Sequence, residues 1–134
     1  MNPLSEQPQR PRVLLADDDD SVRIAVLRLL SPSCDVVGCV GDIATLFDAV
    51  ADLRPDVVLL DFSLPGGLTG IEVCRRLKGI RPQMGVVPFT AHEDEELSRL
   101  ALEAGASGYV WKLQATTDLL PAIRAAVAGL TTGS

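Results

Sequence analysis

The sequence predicts an α/β protein built on a doubly wound, five-stranded parallel sheet with helices on both faces. Five short apolar runs alternate along the chain with five longer segments. The short runs have the continuous apolar character of strands that are buried on both faces. The longer segments repeat apolar residues at helical spacing. Because parallel strands need a crossover helix between them, the predicted order is (βα)₅.

The strand candidates are apolar runs bounded by polar or turn-forming residues. They are Val13 to Ala16, Val36 to Val40, Val57 to Leu60, Val86 to Phe89 and Tyr109 to Trp111. Pro88 is unusual in the fourth run, because a missing N–H removes one ladder hydrogen bond. Tyr109 and Trp111 are two residues apart, so we expect them to point to the same side of the fifth strand.

Each intervening segment carries an apolar stripe at spacings of three and four residues. The stripes are Val22, Ala25, Val26, Leu29 and Leu30; Ile43, Leu46, Phe47, Val50 and Ala51; Ile71, Cys74 and Leu77; Leu97, Leu100, Ala101 and Ala104; and Leu119, Ala122, Ile123, Ala126, Val127 and Leu130. Arg54-Pro55 and Arg81-Pro82 mark the ends of the second and third helices, and Gly105 follows the fourth as a left-handed end residue.

Length and charge restrict the function classes. The chain has 134 residues, which suits one domain, and 12 Lys plus Arg against 18 Asp plus Glu give a net charge of −6. This acidity argues against direct nucleic-acid binding, which needs clustered cations, and favours a protein partner or a small anion held through a metal. No apolar stretch is long enough to span a membrane, and no secretory segment is recognisable, so we expect a cytoplasmic protein.

Domain boundaries follow from composition. Residues 1–11 are polar and rich in Pro, which predicts a disordered tail. We expect residues 12–130 to form the domain and residues 131–134 to be a loose tail or the start of a linker to an output domain. Cys34, Cys39 and Cys74 lack metal-ligand spacing and are predicted to be reduced, buried thiols.

Acidic side chains follow two of the predicted strands. Asp17, Asp18, Asp19 and Asp20 come directly after the first strand, and Asp61 comes directly after the third. Because the carboxyl ends of parallel strands lie at one edge of a sheet, these acids are expected to converge. Clustered carboxylates repel one another unless a cation lies among them, and Mg²⁺ prefers oxygen ligands. The pattern therefore predicts a Mg²⁺ pocket.

Two further strand ends add a hydroxyl and an ammonium group to this edge. Thr90 ends the fourth strand and Lys112 follows the fifth. A carboxylate nucleophile, a metal site, a hydroxyl and an ammonium together make a set that is suited to accepting a phosphoryl group.

At this point the chain resembles the response-regulator receiver domain of two-component signalling, over roughly residues 12–129. The stretch VLLADDDDSVR is similar to the acidic-pocket motif of that family, and PDVVLLDFSLPG is similar to its phosphoacceptor strand and loop. The resemblance implies a flavodoxin-like fold, a phosphoacceptor at Asp61 and metal ligands at Asp17 and Asp18. It also implies that Ser63 contributes its backbone carbonyl to the metal.

The same resemblance assigns a switch. Thr90-Ala91 is similar to the switch hydroxyl and the small residue after it, and Gly108-Tyr109 followed by Lys112 is similar to the aromatic switch and lysine of the family. Of the remaining polar residues, Asp20 is predicted as the N-cap of the first helix, and Asp19 and Asp20 together are assigned to capping and negative potential. His92 is either part of a solvated helix start or a residue that tunes dephosphorylation.

Two local features depart from the usual family pattern. The segment between Asp61 and Gly70 is one residue longer, so we expect the loop to be remodelled around Gly66-Gly67. Leu113 follows Lys112 where the family usually has Pro or an acid, so we expect a trans peptide there.

The leading function is a phosphorylation-dependent switch that is not an enzyme with a substrate of its own. By resemblance, Asp61 takes a phosphoryl group from a sensor histidine kinase with Mg²⁺, and the face made by the fourth helix, fifth strand and fifth helix changes its association with an output domain, a downstream protein or a second copy. One alternative is a degenerate receiver that acts as a constitutive docking module. Another is a Mg²⁺-dependent aspartyl-phosphate phosphohydrolase, although Ser63 stands where such enzymes usually carry a second carboxylate.

Overall fold

The computed structural model describes residues 10–129, in which five parallel strands form one sheet. The strands are β1 (Arg12–Ala16), β2 (Asp35–Val40), β3 (Val57–Leu60), β4 (Gly85–Thr90) and β5 (Val110–Trp111), in the spatial order β2-β1-β3-β4-β5. All five predicted strands are confirmed to within one residue at each end. Most of the predicted terminal tails, together with Leu130, lie outside the described residues.

Five helices cover the two faces of this sheet. They are α1 (Asp20–Leu30), α2 (Ile43–Leu53), α3 (Gly70–Ile80), α4 (Glu95–Glu103) and α5 (Ala115–Val127), with a 3₁₀ turn at Lys112–Gln114 before α5. Successive strand residues point to opposite faces. Leu14 therefore packs in the core under α2, α3 and α4, whereas Val13 and Leu15 pack in the core under α1 and α5. The doubly wound architecture is confirmed.

The start of α1 differs from the prediction that Asp20 caps it. The capping residue is Asp19, whose Oδ1 accepts the backbone N–H groups of Ser21 and Val22 at 2.8 and 3.2 Å. A cap residue needs extended dihedral angles outside the helix, and Asp19 has φ −93° and ψ 117°. Asp20 is the first helical residue, and 91% of its side chain is exposed. The prediction was wrong because four consecutive aspartates offer the same capping chemistry.

Arg10 and Pro11 lie within the predicted tail, and Arg10 makes specific contacts with the domain. Its guanidinium donates to three backbone carbonyls just after α1, at 2.6–3.1 Å, and to Asp35 at 3.0 Å. These carbonyls lack helical partners, so an arginine fork is a suitable donor for them. This contact joins the segment before β1 to the end of α1.

The smaller expectations have mixed outcomes. Gly105 has a φ of 104°, as predicted for the residue after α4. Pro88 lies buried in β4, paired with Leu60 of β3, so the missing N–H does fall in an interior strand. The three cysteines are free thiols, but Cys39 is only half-buried. Burial raises the pKa of the Cys74 thiol to about 11.

Candidate functional site

Three carboxylates meet at the carboxyl edge of the sheet, as the sequence predicts. Asp17 follows β1 and Asp61 follows the adjacent strand β3, so the parallel register places both at one edge. One carboxylate oxygen from each of Asp17, Asp18 and Asp61 lies within 4.8 Å of the others. Asp17 is fully buried and Asp61 is 5% exposed, while Asp18 faces solvent. The cluster is thus open on the side of Asp18.

Lys112 follows β5, the last strand in the spatial order, and its side chain extends to this cluster. Its Nζ lies 2.7 Å from Asp17 Oδ2 and 3.7 Å from Asp61 Oδ2, and its side chain is 19% exposed. The ammonium group also lies 5.6 Å from the centre of the Phe89 ring. These contacts distinguish Lys112 from a solvated surface lysine and make it the cation of the acidic cluster.

The surroundings of Asp61 change the pKa of its carboxyl group. Burial raises the pKa of Asp61, and the negative charges of Asp17 and Asp18 add to the rise. The Ser63 N–H, which donates to Asp61 Oδ1 at 3.0 Å, and the Lys112 charge oppose it without cancelling it. One ammonium is therefore not enough to offset burial and repulsion among three carboxylates.

The donor set suits a hard divalent cation. Asp17 Oδ1 accepts the Asp19 N–H at 2.9 Å, whereas Asp17 Oδ2 is buried and has no hydrogen bond. Lys112 Nζ is near that oxygen, but the contact lacks hydrogen-bond alignment. A buried carboxylate oxygen without a hydrogen bond, next to two further carboxylates, is an arrangement that Mg²⁺ stabilises.

The two predicted switch residues are in direct contact. Thr90, at the end of β4, is 3% exposed, and its hydroxyl lies 2.9 Å from the Tyr109 hydroxyl. Both hydroxyls also bond to the backbone carbonyl of His92, at 2.9 and 3.1 Å. The backbone carbonyl of His92 is therefore part of this network, although the residue is exposed to solvent.

Phe62 is a further member of this network that the sequence analysis did not identify. Its ring packs edge-on against Tyr109, with centroids 6.4 Å apart and an interplanar angle of 87°. Phe62 directly follows Asp61, so it connects the acidic cluster to Tyr109. A Cβ at Gly70 would collide with the Phe62 ring, which explains the glycine at the start of α3. In the sequence, Gly70 is the only residue that could have indicated the position of the Phe62 ring.

Tyr109 and Trp111 lie on the same side of the chain, as predicted. Both line a groove of about 610 Å³ between α4 and α5. Trp111 Nε1 donates to the Ala91 carbonyl at 3.1 Å, so both aromatics bond to the loop that follows Thr90. A change in that loop would therefore reach this surface directly.

In the loop after Asp61, two adjacent glycines adopt positive φ. Gly66 and Gly67 have φ values of 140° and 89°, which L-residues rarely adopt. The Pro65 carbonyl accepts the N–H of Ile43 at 2.9 Å, which ties the loop to the start of α2. All peptide bonds within residues 10–129 are trans, including the bond between Lys112 and Leu113.

None of the helices between residues 10 and 129 has both the length and the apolar character that a bilayer-spanning helix requires.

The family model described as the response regulator receiver domain matches residues 13–124. Among curated proteins, the chain is 36% identical over 120 residues to the response regulator GacA of Pseudomonas viridiflava. It is 39% identical over 120 residues to DevR/DosR of Mycobacterium tuberculosis, a DNA-binding transcriptional activator. These matches cover 88% of this chain but 56% and 55% of the relatives, so the chain spans about half of their length.

Solved structures have the same fold. A two-component response regulator of the LuxR family from Aurantimonas sp. SI85-9A1 matches with a TM-score of 0.86 and 34% identity, over 94% of this chain and 91% of that one. The isolated REC domain of RcsB from Salmonella enterica serovar Typhimurium, in the presence of phosphomimetic BeF3-, matches with a TM-score of 0.85 and 26% identity, over 94% and 95% of the two chains. Since the family match spans most of the sequence and the fold agrees throughout, this chain belongs to the response regulator receiver domain family of two-component signalling.

Proposed function

We propose that Asp61 is the residue that accepts a phosphoryl group, from the phosphohistidine of a sensor kinase. The observation that carries this proposal is the convergence of Asp17, Asp18 and Asp61 within 4.8 Å, with Lys112 beside them. An Asp61 carboxylate oxygen forms the new bond to phosphorus while the phosphorus–nitrogen bond of the donor breaks.

Each neighbour of Asp61 has a role in this transfer. Mg²⁺, held by the carboxylates of Asp17, Asp18 and Asp61 and by the Ser63 carbonyl, would neutralise charge on the incoming group. The Ser63 N–H fixes Asp61 Oδ1, so Oδ2 is left on the side of Lys112. The Lys112 ammonium and the Thr90 hydroxyl then donate to phosphate oxygens.

The phosphate is sensed through the single proton of the Thr90 hydroxyl. That proton is shared among contacts with Tyr109 and the His92 carbonyl in the unphosphorylated protein. A dianionic phosphate is a stronger acceptor than either. When Thr90 donates to the phosphate instead, Tyr109 and the loop after β4 must rearrange, and with them the surface of α4, β5 and α5. We propose that an output domain, a downstream protein or a second copy associates on this surface in the phosphorylated state.

The direct test supplies a small phosphodonor and Mg²⁺ and follows the intact mass. Wild type should gain one phosphate, Asp61→Asn should gain none, and Asp52→Asn should behave like wild type because Asp52 is an exposed acid on α2. The same adduct on Asp61→Asn would disprove the assignment. A wild type that stays unlabelled would support a docking module in place of a phosphoacceptor.

A further inference from the structure

Arg23 contacts the backbone of Asp17, one of the three acids of the cluster. Arg23 lies in the first turns of α1, and its Nε donates to the backbone carbonyl of Asp17 at 2.7 Å. The side chain is only 26% exposed. Its Nη1 also lies 3.8 Å from Asp20 Oδ1, but Asp20 is 91% exposed, so that ion pair adds little. The main contact of Arg23 is therefore with the backbone of Asp17.

With this contact, three of the four polar atoms of Asp17 have fixed partners. Its N–H donates to the Val40 carbonyl at 3.0 Å, and its Oδ1 accepts the Asp19 N–H at 2.9 Å. Its carbonyl is held by Arg23. The remaining atom, Oδ2, lacks a hydrogen bond and lies 2.7 Å from Lys112 Nζ. The same peptide leads directly into Asp18, so the Arg23 contact also determines where that carboxylate is presented.

Gly41 provides the space that the Arg23 guanidinium occupies. A Cβ at Gly41 would lie 2.8 Å from Arg23 Nη2, which is too close for any real contact. The same Cβ would lie 3.8 Å from the Cα and Cβ of Asp18, which is ordinary van der Waals contact. A side chain at residue 41 would therefore displace the end of the Arg23 guanidinium without pressing on Asp18.

We propose that Arg23 is a positioning residue for the divalent cation, which acts by holding the Asp17 carbonyl and thereby the carboxylates of Asp17 and Asp18. This inference rests on the proposed function, because it concerns the same Mg²⁺ site. Groups that orient metal ligands typically change metal affinity by about 10- to 100-fold when they are removed.

The charge of Arg23 would change Mg²⁺ affinity in the opposite direction from the positioning contact. The direction of the measured change therefore tests the proposal. A guanidinium near the site repels Mg²⁺, so loss of the charge alone would tighten metal binding. Loss of the positioning contact would weaken it. The two effects therefore predict changes in opposite directions for the same substitution.

The experiment is a calorimetric titration of the whole chain with MgCl₂, at a temperature where circular dichroism shows each variant to be folded. Arg23→Ala should weaken Mg²⁺ binding about tenfold. Arg23→Lys, which keeps the charge and can still donate a hydrogen bond to the Asp17 carbonyl, should weaken it less than Arg23→Ala does. Gly41→Ala should weaken it in wild type and have no further effect when combined with Arg23→Ala, because it acts through Arg23. Arg28→Ala, an exposed arginine of the same helix, should leave the affinity unchanged.

Unchanged or tighter binding by Arg23→Ala overturns the proposal, as does weaker binding by Arg23→Lys than by Arg23→Ala. If Arg23→Ala fails to fold, Gly41→Ala decides the question, because unchanged or tighter binding by that variant overturns the proposal. A wild type that binds no Mg²⁺ refutes the proposed metal-dependent function and this inference together. Normal wild-type binding with unaffected variants refutes the inference alone.

Discussion

The hydroxyl groups of Thr90 and Tyr109 lie 2.9 Å apart, and both bond to the carbonyl of His92. Thr90 ends β4 beside the acidic cluster, whereas Tyr109 faces the groove between α4 and α5. The hydrogen bond between them therefore connects the edge where phosphate would bind to the surface where a partner would bind. Because the two hydroxyls share the His92 carbonyl as an acceptor, we expect a new acceptor at Asp61 to change this arrangement.

Thr90→Ala should separate phosphate binding from its structural response. The phosphate mimic beryllofluoride should still bind at Asp61, because the carboxylates and Lys112 remain. The NMR shifts of Tyr109 and of residues 92–104 should change much less than in wild type, since the hydroxyl that transmits the signal is missing. Thr90→Ser keeps the hydroxyl and is the matched control. Wild-type shifts confined to residues 62–70 would exclude this route altogether.

Asp61→Asn should raise the melting temperature of the metal-free protein at neutral pH. Burial raises the pKa of Asp61, so its ionised form is less favourable in the folded than in the unfolded chain. Ionised Asp61 therefore lowers stability as pH rises through its folded pKa, and neutral Asn removes this loss. The difference should be largest near neutral pH and shrink under acid conditions, where the carboxyl is protonated in both states.

Mg²⁺ is the control for that experiment. A ligand that binds the native state stabilises it, so MgCl₂ should raise the melting temperature of wild type more than that of Asp61→Asn. Calorimetric scans across pH, with and without MgCl₂, provide the measurement. A metal-free wild type that is more stable than Asp61→Asn at neutral pH would contradict the unfavourable ionisation assigned to Asp61.

Asp19→Ala should lower the free energy of unfolding by about 1 kcal/mol, because it removes the side chain that caps α1. Asp20→Ala should have a much smaller effect, since Asp20 is exposed within the first turn. Neither change should affect Mg²⁺ affinity as strongly as Asp18→Ala, whose carboxylate belongs to the cluster. Urea denaturation and Mg²⁺ titration of the three variants measure both effects. Equal damage to metal binding by Asp20→Ala and Asp18→Ala would invalidate this division of the acidic run.

Gly66→Ala should destabilise the protein more than Gly67→Ala. Both residues have positive φ, a conformation that costs an L-residue about 1–3 kcal/mol. At Gly66 a Cβ would in addition lie 2.7 Å from Ile43 Cβ, whereas at Gly67 it would meet open space. Chemical denaturation of the pair measures the difference. Equal losses of stability would show that Ile43 moves aside without a penalty.

The sequence alone determined the layout of this protein. Continuous apolar runs such as Val57 to Leu60 and apolar stripes such as that of α2 predict strands and helices, because burial imposes their periods on any fold. Since all strands are parallel, their carboxyl ends share one edge, and the convergence of Asp17, Asp18 and Asp61 follows from chain order. These properties depend on residue type and spacing, which a sequence displays directly.

The tertiary structure decided which atoms meet. Asp19 rather than Asp20 caps α1, Lys112 lies nearer to Asp17 than to Asp61, and Arg23 holds the Asp17 carbonyl. Each of these outcomes depends on dihedral angles at one residue or on the direction of a long, flexible side chain. Such directions are set by partners far apart in the chain, such as Gly41 beside Arg23, and periodicity carries no information about them.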